Sequence, residues 1–158
     1  MQYESVLYFD SDCLVVRDIE PLFALHKQLH SSANPQSKYH LGVTRDIRAS
    51  KWQETFNMGV FVLRPNLAEY ARLIQLKNDA NFKFETTMSE QGFLNVVYKN
   101  QWLEIGFENN ANLAVYSQLP DYWKAREANI SVIHYTMEKP WDCGNTYKPV
   151  CDIWRKIS

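Results

Sequence analysis

Val6-Leu7-Tyr8-Phe9-Asp10-Ser11-Asp12-Cys13-Leu14-Val15-Val16 sets two short apolar runs on either side of an acidic triplet. The first run is β-branched and aromatic with no helical period, which predicts a buried strand. Two carboxylates at the end of a strand must be solvated, hydrogen-bonded or paired with a cation, because an unpaired buried charge is very costly. In extended chain Asp10 and Asp12 share a face. Paired hard oxygens of that kind suit Mg²⁺ or Mn²⁺, ions that keep open positions for a diphosphate. Asp-Ser-Asp is equally good turn chemistry, so a plain polar turn between two strands is the competing reading.

The rest of the chain sets the context. At 158 residues, 46% hydrophobic and 14% aromatic, it has the length and composition of one globular domain with a real core. Seventeen basic and eighteen acidic residues give a net charge of −1, a balance that recruits neither nucleic acid nor an anionic membrane. No apolar stretch is long enough to span a bilayer, and no signal-peptide pattern opens the chain. Cys13, Cys143 and Cys151 are odd in number and lack C-x-x-C spacing. That argues against a disulfide framework or a zinc knuckle and favours a reducing compartment such as the cytoplasm. The sequon Asn129-Ile130-Ser131 abuts a predicted strand and carries little weight.

Strand and helix patterns alternate. A helix is predicted over Ile19–Leu29, with Pro21 in its first turn, and a short strand over Tyr39–Thr44. Arg45–Asn57 is polar and patternless and reads as a loop; Val60–Leu63 is a second buried strand, stopped by Pro65. Asn66 and Glu69 form a capping box for a helix with Tyr70, Leu73 and Ile74 on one face. Another helix runs from Thr87 to Tyr98, with Thr87-Met88-Ser89-Glu90 as its own capping box. Trp102–Ile105 is a strand, Phe107–Tyr122 is irregular, Ile130–Tyr135 is a third buried strand, and Val150–Lys156 is helical. The class is α/β. Polar residues follow apolar strands at Asp10/Asp12, beside Asn57 and at His134, which is where open α/β sheets bind ligands.

Four motifs stand in one order: YFDSD (Tyr8–Asp12), FNMGVFVLRP (Phe56–Pro65), SEQGFLN (Ser89–Asn95) and VIHYTMEKPW (Val132–Trp141). Together they resemble glycosyltransferase family 8, the glycogenin-like retaining enzymes. The resemblance implies a GT-A fold, a mixed sheet flanked by helices, and a Mn²⁺-dependent (or Mg²⁺-dependent) transfer of a hexose from a UDP-sugar to a hydroxyl acceptor. It implies Asp10, Asp12 and His134 as metal ligands and Lys139 on the leaving diphosphate. Asn57 and Gln91 would contact the donor sugar, Gly59 would let backbone approach the ligand, and Asp46 would face the sugar. Glu90 stands where the family has aspartate near the anomeric carbon.

Two departures bear on that expectation. Met137 replaces a glycine of the family's H-[FY]-x-G, where a side chain would crowd the diphosphate. Met1 falls directly before the D-x-D strand, whereas family members begin with βα units that wall in the uracil and ribose. The expectation is therefore a single partial domain over residues 1–158, a fragment or short form in which the nucleotide is held more weakly or differently. A strand stripped of its neighbour would leave an apolar edge that invites self-association. Relatives of this family work in the cytosol or the Golgi lumen. The rival readings are a non-catalytic remnant of the same fold and a Mg²⁺-dependent phosphohydrolase or nucleotidyltransferase using the aspartate pair alone.

Overall fold

The computed structural model describes residues 2–157. Strand β1 (Val6–Phe9) and strand β2 (Cys13–Val15) flank the Asp-Ser-Asp turn and enter different sheets. Helix α1 (Glu20–Ala24) carries Pro21 in its first turn and tightens into a 3₁₀ turn over Leu25–Gln28, so the helix expected there is real but short. Strands β3 (Leu41–Arg48) and β4 (Lys51–Leu63) form the central hairpin. Helix α2 (Leu67–Asn78), helix α3 (Ser89–Val97) and strand β5 (Trp102–Glu104) follow. Strand β6 (Ala111–Asn112), helix α4 (Leu113–Gln118) and helix α5 (Pro120–Arg126) lead to strand β7 (Val132–His134) and the final helix α6 (Lys148–Ile157).

The larger sheet has the order β1-β4-β3-β5, with β5 parallel to β3 and the other pairs antiparallel; the smaller has the order β2-β7-β6. The mixed sheets with flanking helices are α/β, as the alternating pattern required. Three clusters fill the interior. One gathers Phe107, Leu113, Val115, Trp123, Ile133 and Tyr135, a second Leu22, Val60, Val62 and Val132, and a third Leu41, Val43, Phe56 and Met58. Each such fully buried side chain contributes about 1.5–3 kcal/mol of apolar transfer.

Several expectations are corrected. Arg45–Asn57 is not a loop but most of the β3–β4 hairpin. The two-residue turn Ala49-Ser50 has both φ positive (50° and 59°), the geometry that fits strand twist, yet neither residue is glycine or asparagine. The pairing slips between Val43 and Thr44 and again between Arg45 and Ile47, where Asp46 alone faces Gln53–Thr55 of β4, an irregularity of the kind that re-aims a side chain. Phe107–Tyr122 is not irregular: it holds β6, α4 and the start of α5, with Asn112 capping α4 and Pro120 beginning α5. Of the two capping boxes, Asn66 does accept from the Ala68 and Glu69 amides, but Glu69 bonds Arg72 and Tyr98 instead of reaching back. The Thr87 box is absent, because Glu85 caps the preceding 3₁₀ turn and takes the Thr87 hydroxyl.

Strand β1 is less buried than its composition implied: Val6 and Tyr8 are exposed, and β1 lies at the end of its sheet with β4 as its one neighbour among the described residues. Met1, on which the expectation of a missing front half turns, lies outside those residues. Cys143 and Cys151 form a disulfide across eight positions, tying the segment after Trp141 to α6. The cysteine count therefore misled, and with it goes the ground for a reducing compartment. Among the described residues no helix is long and apolar enough to cross a membrane.

Candidate active site

The site grows from the turn between β1 and β2. The Asp10 amide donates to the Gly59 carbonyl of β4 (2.8 Å), and the Cys13 amide closes the turn onto the Asp10 carbonyl (3.0 Å). Asp-Ser-Asp is thus a true turn, and its two carboxylates converge through the turn and not through extended chain. Strand β7 pairs with β2 so that His134 stands opposite Cys13. The imidazole Nε2 lies 3.3 Å from Asp12 Oδ1 and 3.6 Å from Asp10 Oδ2. Lys139 donates to the other Asp12 oxygen and to the Tyr135 carbonyl (3.0 Å). Asp10, Asp12, His134 and Lys139, more than a hundred residues apart in sequence, meet in one place.

Gly59 is the reason His134 fits. A Cβ on Gly59 would lie 1.9 Å from His134 Cε1 and 2.1 Å from Nδ1, so the imidazole packs flat on bare backbone. The face that the resemblance reserves for a ligand is filled by this ring. Burial, the dominant cause, pulls the His134 pKa below its ordinary value against the raising influence of Asp12 and Asp10. Nε2 of the ring faces both carboxylates.

Those groups fit a divalent cation by their chemistry, since carboxylate oxygen and imidazole are donors that Mn²⁺ accepts and Mg²⁺ tolerates in part. Asp12, Cys13 and His134 each offer an atom within 4.8 Å of the others, so Cys13 is a neighbour that sequence reading passed over. Its thiol is a poor ligand as it stands. It donates to the Gly59 carbonyl (3.4 Å), and burial followed by the charges of Asp12 and Asp10 pushes its pKa up to about 12. Asp10, an ionisable oxygen at a comparable distance from the imidazole, is the better third partner.

The second half of the site lies on β3, β4 and α3. Asn57 accepts from the Gly59 amide (3.0 Å) and from Asn110 Nδ2 (2.9 Å). Gln91 Oε1 accepts from the Met58 amide (3.1 Å) and Asn57 Nδ2 (3.4 Å), and Gln91 Nε2 donates to Asp46 Oδ2 (3.1 Å). Asn95 clamps both polar groups of Phe56, fixing α3 to β4. Asp46 and Gln91 open on a cleft of about 600 Å³ shared with Gln53, Thr55 and Thr87. Burial raises the Asp46 pKa, against the lowering bonds from the Ile47 amide and Gln91. Glu90 is exposed and makes no side-chain hydrogen bond among the described residues. It lies near Tyr8, whose phenol donates to Asp10 (2.9 Å), and that bond above all raises the Tyr8 pKa.

Two further residues complete the account. Asn110, fully buried, accepts or donates at His134 Nδ1 (3.0 Å); it lay in the stretch read as irregular, and the Asn-Asn-Ala-Asn run at 109–112 was the available signal. Met137 is 56% exposed, so its side chain stands in solvent and not against the ring of His134.

Comparison with known proteins agrees with this architecture. The chain is 29% identical over 162 residues to glycosyltransferase GlyA of Streptococcus pneumoniae, an alignment covering 95% of this chain and 21% of that protein. It is 28% identical over 149 residues to glycogenin-1 of Oryctolagus cuniculus, covering 89% of this chain and 38% of the relative. It therefore spans well under half the length of these relatives. Among solved structures, apo-form glycosyltransferase GlyE of Streptococcus pneumoniae superposes with a TM-score of 0.68 at 20% identity, over 99% of this chain and 39% of GlyE. Galactosyltransferase LgtC, solved with donor and acceptor sugar analogues, gives a TM-score of 0.57 at 19% identity, over 99% of this chain and 61% of LgtC. These likenesses establish a GT-A fold. The sequence profile of glycosyl transferase family 8 matches residues 1–143, and a match across nine-tenths of the molecule makes this chain a member of that family.

Proposed function

We propose that this chain is the sugar-transferring part of a retaining hexosyltransferase that takes its donor as a UDP-sugar and depends on Mn²⁺ or Mg²⁺. The observation that carries the reading is the convergence of Asp10, Asp12, His134 and the Lys139 ammonium at one turn. Asp10, Asp12 and His134 Nε2 would hold the ion, which when bound acts as a Lewis acid on the diphosphate. Lys139, its side chain 42% exposed, is free to leave Asp12 and neutralise the charge developing on the leaving group. The bond that breaks joins the anomeric carbon to the diphosphate oxygen, which keeps the electron pair. The bond that forms joins that carbon to the acceptor hydroxyl oxygen, whose proton departs with the diphosphate.

Gln91 and Asn57, held by backbone amides, serve as fixed polar contacts for the donor sugar. Asp46 lines the same cleft as Gln91, and Glu90 brings an unpaired carboxylate to the rim beside Tyr8. The chain acts as a single partial domain whose acceptor is a hydroxyl on a glycan, a protein or a small molecule. A phosphohydrolase or nucleotidyltransferase using the aspartate pair alone needs neither Lys139 on Asp12 nor the Gln91–Asp46 contact, which disfavours it.

The test is Mn²⁺-dependent UDP-sugar hydrolysis or transfer by Asp12→Ala and His134→Ala, with circular dichroism as the control for folding. Both variants are expected to lose activity by at least two orders of magnitude while remaining folded. Activity that survives both changes overturns the reading.

A further inference from the structure

Strand β3 serves two clefts. Asp46 turns to Gln91, whereas its neighbour Arg45 lies beside Glu104 of β5, and the cleft there shares no lining residue with the one that holds Asp46 and Gln91. It measures about 350 Å³, enough for a small molecule. Trp52 and Tyr122 meet edge to face at 5.2 Å on its wall, and two arginines and two glutamates line it. The charges are fixed without satisfying one another. Glu104 accepts the Arg45 amide (3.2 Å) and the Gly106 amide (3.2 Å), so backbone holds that carboxylate in place. Arg45 Nε stays 3.8 Å from it, and Arg126 Nε stays 3.5 Å from Glu108. Among the described residues neither guanidinium makes a side-chain hydrogen bond, and Arg126 lies over the Tyr122 ring (3.8 Å) with its N–H edges unused. Burial is the larger influence on Glu104 and raises its pKa over the lowering amide bonds, as expected of a carboxylate short of donors.

Gly106, at φ 86°, keeps the cleft open: a Cβ there would stand 3.2 Å from Glu108 Oε2. The Arg45–Glu104 pair also borders a second cleft of about 540 Å³, lined by Trp102 and Tyr39, with the Arg45 guanidinium 5.6 Å from the Trp102 ring. Two positive and two negative charges cancel, so the first cleft favours neither an anion nor a cation, and an apolar ligand would strand all four. The ligand that fits donates to a carboxylate and accepts from a guanidinium through neighbouring groups, and lays an apolar face on an aromatic wall. A pyranose ring with vicinal hydroxyls does all of this. We propose that this cleft binds a neutral saccharide, one ring beside Trp52 between the Arg45–Glu104 and Arg126–Glu108 pairs and a second ring toward Trp102. The site needs no ion and no nucleotide, so it stands apart from the chemistry at Asp10, Asp12 and His134.

The experiment titrates the ¹⁵N-labelled chain, free of metal and nucleotide, with glucose, galactose, lactose and maltose, and follows the tryptophan indole N–H signals. At least one of the four is expected to shift Trp52 in the millimolar range, and a disaccharide that does so is expected to shift Trp102 as well. Arg126→Gln and Glu108→Gln each remove one charged partner and should weaken that binding about 10-fold, while Asp12→Ala should leave it unchanged. Both rim side chains stand partly in solvent, so circular dichroism should show both variants folded; if one is not, the other decides. No Trp52 shift with any of the four sugars overturns the proposal, as does a shift of the same affinity in the folded rim variants. Binding lost in Asp12→Ala would put the sugar in the donor site instead, and displacement by sodium sulfate would make the arginines an anion site; either result also overturns it.

Discussion

The rim around His134 and the outer face of α2 are built in opposite ways. At the rim, Asn110 and His134 are buried polar groups whose partners are distant in sequence: Asn110 meets Asn57 of β4 and His134 of β7, and His134 also meets the carboxylates of the β1–β2 turn. Helix α2 buries no residue fully, leaves Leu67 and Tyr70 in solvent, and takes its capping from Asn66 and the Glu69–Arg72 pair of its own first turns, with the Tyr98 hydroxyl on Glu69 and the packing of Leu73 as its ties to the body. The rim is stable only if the whole fold brings its parts together. The helix is capped in local code and tied to the body mainly through Glu69 and Leu73. Chemistry needs the first kind of construction, because a side chain must be held by neighbours that do not share its own mobility.

The comparison breaks hardest at Gly59. Gly59→Ala puts a methyl into the His134 ring with the backbone of β4 on the other side, so overpacking of about 1–3 kcal/mol is expected. The ring must also tilt off its carboxylates. Denaturant unfolding should show the lost stability, and Mn²⁺-dependent turnover should vanish; a variant of unchanged stability and activity would mean the ring has room that the contact distances deny. The next effect is on the tether. Reducing Cys143–Cys151, or replacing both by serine, should cost about 2–3 kcal/mol on loop-closure grounds, seen as a lower urea midpoint with the disulfide reduced. Lys139 lies just ahead of that loop, so UDP binding should weaken along with stability, whereas α2 is not touched.

The same contrast explains what could be read in advance. Strand ends that deliver Asp10 and His134 announce themselves as apolar runs meeting polar residues, whereas Asn57, expected beside a strand, lies inside β4; the order of four motifs named the family. The Asn66 cap and α2 were equally legible, being local. Three things were not. The β3–β4 hairpin turns on Ala49-Ser50, residues that carry no left-handed signal, and its strands are polar on both faces near the turn. Asn110 has meaning only through Asn57 and His134, neither of which is near it in sequence. The pairing of Cys143 with Cys151 depends on where α6 packs, which no spacing rule contains.

A smaller effect sharpens the other side of the comparison. Asn66→Ala removes the acceptor for the Ala68 and Glu69 amides and should cost about 1 kcal/mol. Because α2 stands apart, hydrogen exchange should quicken across Leu67–Asn78 and stay unchanged at Val132–His134. Faster exchange in both places would show that the helix and the rim unfold as one unit, and the distinction drawn above would fall.

The subtlest effect is a slope and not a loss, and it belongs to Asp46, where the hydrogen bonds from Asn57 through Gln91 end. Burial raises the Asp46 pKa above its ordinary 3.8, so the folded state keeps that proton to a higher pH than the unfolded chain does. Below 3.8 both states hold the proton and Asp46 contributes no difference. As pH rises from there through the raised folded value, the unfolded chain gives up the proton first and stability falls; above that window the cost is constant. Asp46→Asn removes the titration, so the difference in unfolding free energy between wild type and variant should drift in favour of the variant from about pH 4 upward and then level off. The asparagine also sets an N–H against Gln91 Nε2, a conflict that moves the whole curve by a constant and leaves its slope alone. Equal slopes in the two proteins would mean that Asp46 is as well solvated as a surface carboxylate. The Gln91–Asp46 bond would then end in water, and the α2 face and the rim would differ in burial without differing in how they are held.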